Sequence, residues 1–491
     1  MHASSKILPA LAVTLMQIAS ASHVDDGGKH LAQQPILDTL LQTQQPQFDS
    51  AKDHGSSSSS DSSCVVSRLT AYEQTQGPVS FSLSESEHPE VPKLSALNST
   101  VWEQWEFDGV SSSGTGSILM GFSRDPSYHF FGQGNLRVEF YMLLDDGTII
   151  QELDYTQEST IITCDDSVTG IWNSSDRVYG FRVPRDMSSA HVWWDTGRER
   201  GSLNLSSLTP PYLANGQLWP PSTTNTKTSS SGGGKKQDTT DAAAAATATA
   251  GSAVRMAPGL YFNQPIAGGK MAAEVRIGKR KHMRIEGHGG HGRLWAEDGW
   301  FNICDGWHIV RGFVGPYTIS YWEPVSRIDA SVSYFSAQLF KDGELLVGAQ
   351  IGNPANASSR RTPGGDDGDY VRFTPEFGGD GVSGRLADKS TGRVIEFVSP
   401  KRGGKTWRFR HDHVKKMFEM NLGGGKGLTG FVDRVVGGEA DTDESHEGTG
   451  FSEQVVLPPE IKQWQIWVVY GIGFLGKWKS TVTNFVSSML V

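Results

Sequence analysis

Cysteine is scarce, with three in 491 residues, and positive charge is in deficit, with a formal net charge of −10. So few thiols exclude a disulfide-knit scaffold and a multi-cysteine zinc site. A chain this acidic lacks the basic face that nucleic acid selects. No apolar run reaches the roughly 20 residues that a membrane-spanning helix needs. No phosphate loop, Rossmann fingerprint or Gly-x-Ser-x-Gly elbow is present, which argues against nucleotide and serine-hydrolase chemistry. Long amphipathic helical patterns are missing too. What is abundant is 57 Gly, 22 Pro and 14 Trp, a composition suited to a turn-rich β protein with aromatic surfaces to cover.

Residues 1–21 read as a signal peptide. Lys6 precedes the apolar stretch Ile7–Ile18, and Ala19-Ser20-Ala21 offers a small-x-small cleavage site. Residues 22–63 are polar, carry the run Ser56–Ser60 and form a flexible leader. A second low-complexity stretch, 222–252, joins Gly232-Gly233-Gly234 to Ala242–Ala246 and reads as a linker. It divides the chain into an N-terminal β-domain, 64–221, and a C-terminal lipocalin-like β-domain, 253–491. Sequons at Asn98, Asn173, Asn204 and Asn356 agree with a secretory location. There Cys64 and Cys164 could form a disulfide, leaving Cys304 as a buried inert thiol rather than a nucleophile. The apolar tail Trp464–Gly476, followed by Lys477-Trp478-Lys479, suits either a terminal element of the second domain or a peripheral membrane contact.

The remaining pattern is all-β, read as two antiparallel sandwich or barrel domains of lipocalin type. Phe140–Leu144 and Thr148–Leu153 flank Asp145-Asp146-Gly147 as a hairpin, and Ser331–Phe340 and Leu345–Ile351 flank Asp342-Gly343 likewise. Ala273, Val275 and Ile277 alternate with Glu274 and Arg276, as in a strand with one wet face.

The stretch from Glu286 to Arg327 is the most informative. It holds Gly287-His288-Gly289-Gly290-His291-Gly292 and, within 28 residues, Trp295, Trp300, Trp307 and Trp322. Glycines there let the backbone bend sharply or approach a ligand, and the indoles supply flat, low-entropy walls. Either the segment lines an apolar cavity with a few aimed polar groups, or it is ordinary core. His288 and His291 lie three apart, a spacing that on a strand does not set two imidazoles on one face, and no third ligand is signalled, so no metal is expected. On the strand that follows, Tyr317 and Tyr321 share one face and Trp322 takes the other.

These residues, from Gly290 to Trp322, resemble the pattern of carotenoid 1,2-hydratases (hydroxyneurosporene synthases), a lipocalin-like family. Trp102-Glu103-Gln104-Trp105-Glu106-Phe107-Asp108-Gly109-Val110 resembles the Trp-Tyr-Phe-Asp strand of fungal Diels-Alderases built on that fold. His291-Gly292 stands where the hydratase pattern has His-Asp, which weakens the hydratase reading. Secretory leader, sequons and linker resemble the hetero-Diels-Alderase branch more than the shorter decalin-forming one. The resemblance implies a cofactor-independent pericyclase taking apolar polyketide and terpenoid substrates. It would join a tropolone-type o-quinone methide, formed by dehydration, to a humulene-type sesquiterpene. It also implies roles: Trp105, Trp295, Trp307, Tyr317, Tyr321 and Trp322 as cavity walls, His288, His291 or Arg311 as the oxyanion donor, and Asp108 or Glu323 as general acid. An intramolecular Diels-Alderase, a terpenoid hydratase, a non-catalytic lipocalin-like carrier and a secreted carbohydrate-binding module are the alternatives.

Overall fold

Antiparallel hairpins make up nearly all of the structure, a computed structural model that describes residues 64–127, 134–221, 253–279, 281–350 and 368–460. The expected signal peptide and leader, the 222–252 stretch, Asn356 and the Trp464–Gly476 tail lie outside these residues.

The first sheet has fourteen strands. From Val65–Thr70 at one edge it runs through Glu158–Thr163, four further strands, Leu260–Ile277, Lys281–Ala296, Trp102–Ser111, Ser117–Arg124 and Leu136–Leu143 to Ile149–Tyr155. The three strands that follow the low-complexity stretch, the short Arg255–Ala257 included, therefore belong to this sheet, and Glu199–Ser207 pairs directly with Leu260–Ile277. The expected division at 222–252 is not where the sheets part. They part at the one-turn helix Trp300–Ile303. Low complexity marks a segment that buries little, and such a segment can sit between neighbouring strands of one sheet as readily as between domains.

The second sheet has ten strands, and its outer strands, Glu344–Gln350 and Tyr370–Glu376, lie against each other, so it is nearly a closed barrel. Its hairpin at Asp342-Gly343 joins Ser336–Lys341 to Glu344–Gln350; the upstream strand is shorter than expected, because Ala330 and Ser331 take positive φ and turn the chain. The hairpin at Asp145-Asp146-Gly147 forms as the turn signal predicts, with Gly147 at φ 81°.

Side-chain alternation gives each sheet two different faces. One face of the first sheet closes over its own core of Trp105, Phe107, Phe122, Trp172 and Phe181. The barrel interior is filled by Tyr317, Ile319, Tyr321, Phe397 and Phe409. The remaining faces pack against each other. Tyr141 of the first sheet stacks on Phe418 of the second with ring centroids 4.3 Å apart, and Trp102 stacks at 4.3 Å on Trp300.

A buried ion pair pins this contact. Arg311, from the strand Cys304–Val314, pairs with Asp108 of Trp102–Ser111 and donates its Nε–H to the Ala267 carbonyl at 3.0 Å. Gly290 makes the room. A Cβ at that position would lie 2.6 Å from both Nε and Cζ of Arg311. The Gly287–Gly292 stretch is thus a regular strand and not a bend. Its glycines admit neighbouring strands and a guanidinium rather than a ligand.

Cys64 and Cys164 are bonded, closing a loop with a sequence separation of 100, and Cys304 is buried, with burial pushing its thiol up to about 12. Replacing both bonded cysteines by serine should lower unfolding free energy by roughly 2–4 kcal/mol, read from urea denaturation. Arg311→Met strands the Asp108 carboxylate and should cost roughly 3–5 kcal/mol. The double variant Arg311→Met with Asp108→Leu should recover most of that loss in the same assay.

Candidate active site

Between the packed faces lies a narrow, partly enclosed cavity of about 60 Å³. The aromatic and aliphatic walls are Trp300, Trp307, Trp322, Tyr141, Phe418, Leu119, Leu294, Ile309 and Leu428. Gln104, Glu106, Arg137, Glu139 and Glu453 supply all the polar lining. Both sheets contribute, so neither half of the chain contains the site alone.

The strands explain the polar groups. Trp102–Ser111 is buried along its length except at Glu106, and Leu136–Leu143 is buried except at Glu139. Each partly accessible carboxylate is one that lines the cavity. Gln104 donates to Glu106 at 3.3 Å, and Arg137 donates its Nε–H to Glu139 at 3.0 Å. From the opposite sheet comes Glu453, which accepts the Trp307 indole N–H at 3.3 Å.

Two of these carboxyls hold protons unusually well. Burial, opposed by Arg311 and reinforced by the Glu139 charge, pushes Glu106 up to about 7. Burial, with Glu106 and Glu139 adding to it, drives Glu453 well above the ordinary carboxylate range, against the Trp307 hydrogen bond. Near neutral pH the cavity therefore presents one neutral acid and one carboxyl close to its titration point. It can donate a hydrogen bond to a carbonyl oxygen inside an aromatic, water-poor enclosure.

Of the residues singled out from the sequence, Trp307 and Trp322 line this cavity. Arg311 and Asp108 form the pin behind it, beside Glu106. The others lie elsewhere. Trp105 and Trp295 project from the opposite face of the first sheet. Arg293 covers the Trp105 ring at 3.6 Å, and the Trp295 indole donates to the Ser82 carbonyl at 3.1 Å. His291 is on that face too, its nitrogens 2.8 Å from a Glu90 carboxylate oxygen and 2.9 Å from the Glu106 carbonyl, its ring stacked on Phe107. It ties the 79–101 segment to the sheet and does not meet the cavity. Glu90 stays below the usual carboxylate range because His291 and Arg293 outweigh the effect of burial.

Tyr321 and Glu323 point into the barrel, where the phenol donates to the carboxylate at 2.6 Å and the Tyr321 ring stacks on Phe373. Tyr317 also faces the barrel core, against Phe409. His288 stacks on Phe313 beside a separate surface groove, and burial together with Lys270 lowers its pKa. Of the sequons, Asn204 is exposed, while the Asn98 amide donates to the Gly77 carbonyl at 3.1 Å.

Sequence reasoning missed Glu106, Glu139, Arg137, Gln104 and Glu453, although strand alternation carried a signal. Gln104, Glu106 and Asp108 fall on one face of their strand, opposite the face that carries Glu103, Trp105 and Phe107, and Arg137 and Glu139 fall on one face of a strand whose other face is apolar. That pattern reads as a solvent face, and here a second sheet covers it.

The family model of the Diels-Alderase-like proteins matches residues 61–458. Diels-Alderase mycB of Thermothelomyces thermophilus is 59% identical over 461 residues, 94% of this chain and 95% of that protein. Hexane cyclase xenF of Xenoacremonium sinensis is 43% identical over 431 residues, 88% of this chain and 90% of that protein. Among solved structures, CghA superposes with a TM-score of 0.64 at 25% identity, covering 80% of this chain and 99% of CghA. A two-sheet β scaffold with a lipocalin-like barrel, an aromatic cavity enclosing carboxyls of raised pKa, and relatives named Diels-Alderase and hexane cyclase converge on one assignment: the chain belongs to the Diels-Alderase-like family and is a cyclase-type pericyclase.

Proposed function

We propose that the enzyme closes rings within a single apolar, polyketide-type polyene by a [4+2] cycloaddition in the cavity between the sheets, which widens from its narrow closed form to admit the chain. The observation that carries this reading is the Glu453 carboxyl buried among Trp300, Trp307 and Trp322, where burial favours its protonated form. The indole walls hold diene and dienophile folded against each other, converting lost conformational freedom into effective molarity. The Glu453 O–H donates to the carbonyl conjugated with the dienophile and stabilises charge that grows on its oxygen as the new bonds form. The acid needs no partner from solution and returns unchanged.

Coupling a tropolone-type quinone methide to a humulene-type sesquiterpene would require the same cavity to hold two separate reactants. Its narrowness and the name cyclase among the relatives favour one folded molecule. An oxidising secretory lumen fits the Cys64–Cys164 bond and the exposed Asn204, and is part of this proposal, as is a peripheral membrane contact by the Trp464–Gly476 tail.

The test is Glu453→Leu, assayed with a linear polyene that carries a diene and a conjugated carbonyl. Loss of the donor should lower kcat by about 10²-fold or more with KM little changed. Product ratios should drift toward those of the uncatalysed reaction. The wild-type rate should persist to a pH above the ordinary carboxylate range and fall as pH rises further, because the acid works while protonated and burial raises the Glu453 pKa. Unchanged kcat and unchanged stereochemistry in Glu453→Leu would rule the donor role out.

A further inference from the structure

A cycloaddition moves no proton, so one acidic donor would be enough for it. The cavity holds more than that. Glu106 enters from the first sheet and Glu453 from the second, and both line the same enclosure. The environments of the two carboxyls differ. Glu106 lies beside the Arg311 guanidinium, which stabilises a negative charge there, and takes only the amide hydrogen bond from Gln104. Glu453 faces Glu106 and Glu139, which disfavour a second negative charge, and has Trp307 as its hydrogen-bond donor. The Glu139 carboxylate is held by Arg137, also in the lining. Arg311 therefore breaks the symmetry of the pair, leaving Glu106 as the carboxyl that ionises first and Glu453 as the one that keeps a proton.

We propose that the enzyme has a second activity, enolisation of carbonyl compounds bound in this cavity, with Glu106 as the base and Glu453 as the acid. The proposal rests on the reading that the cavity receives a substrate carbonyl. In the forward step a C–H bond on the carbon next to the carbonyl breaks and its proton passes to the Glu106 carboxylate. The electron pair left behind becomes the enol C=C bond. The carbonyl π pair moves to oxygen, which takes the Glu453 proton and leaves Glu453 as carboxylate. Reversal returns the ketone, so the configuration of that carbon is open to exchange. A carboxylate base facing a neutral carboxylic acid is an arrangement suited to this chemistry, because the acid meets the charge as it forms on oxygen. The consequence for the main reaction is that a stereocentre beside the reacting carbonyl can equilibrate in the cavity before ring closure fixes it.

The probe is a saturated, long-chain α-methyl ketone of one configuration, which contains no diene and cannot cyclise. It is incubated in D2O at neutral pD with the full-length enzyme, with Glu106→Gln and with Glu453→Gln. Deuterium at the α carbon is read by mass spectrometry and binding by quenching of tryptophan fluorescence. Wild-type enzyme should exchange the α hydrogen at least about 100-fold faster than buffer. Glu106→Gln should bind the ketone with the same quenching yet fall to the buffer rate, and Glu453→Gln should lose most of the acceleration. Wild-type exchange at the buffer rate, with or without binding, overturns the proposal. Exchange that survives in Glu106→Gln overturns it equally. An enzyme that cyclises its polyene but leaves the ketone unexchanged loses the acid–base activity alone. One that exchanges the ketone and cyclises nothing keeps that activity and loses the cycloaddition reading.

Discussion

Covering polar faces of two sheets with one another is the constraint from which the rest of the structure follows. Apolar faces could close without cost. Here Gln104, Glu106, Asp108, Arg137, Glu139, Arg311 and Glu453 are enclosed with the indoles and phenyls, and each charge must be paired or neutralised. Asp108 takes Arg311, and Glu139 takes Arg137. Among the described residues no cation remains in the lining for Glu453, which meets the constraint by holding a proton, while Glu106, beside Arg311, is pushed up only to about 7. The neutral acid that the chemistry needs is thus a by-product of how the sheets are joined. Building it required a glycine under a guanidinium more than it required any strained loop.

The same economy explains why the three glutamates of the one Trp-walled cavity are drawn from both sheets. A cavity inside the barrel would have left the first sheet without a catalytic part. Instead the barrel is packed with aromatic rings, and its polar end is knitted together by Asp433, His413 and Arg393, with His413 2.8 Å from Asp433 and 3.0 Å from Arg393. The free face of the first sheet is likewise closed, by the 79–101 segment. Its Glu90 and Lys93 reach His291 and the Glu103 carboxylate. Barrel and outer face are thus settled by internal contacts, and the junction between the sheets is where aromatic walls and buried carboxyls with raised pKa coincide.

Strand identity and the all-β class were legible from alternation, from turn signals such as Asp145-Asp146-Gly147, and from the many glycines. The family was legible from Trp102–Val110 and Gly290–Trp322. The division of the chain was not, because a low-complexity insertion between two paired strands looks the same as a linker between domains. The catalytic face was hidden for a related reason. Tryptophan and histidine attract notice in a sequence, so His291, Trp105 and Trp295 looked like site residues, yet alternation turns all three away from Gly290, Gly292 and Leu294, whose side of the strand faces the barrel. Glu106 looked like a solvent-facing residue because sequence pattern reports polarity and says nothing about which polar face a second sheet will cover.

A crystal structure of the enzyme with a non-cyclising carbonyl analogue of its polyene bears most directly on this account. In that complex the carbonyl oxygen should lie within hydrogen-bonding distance of the Glu453 carboxyl, with the carbon chain along Trp300, Trp307 and Trp322. A ligand seated in the barrel against Tyr321 and Phe373, or in the groove beside His288, would contradict it.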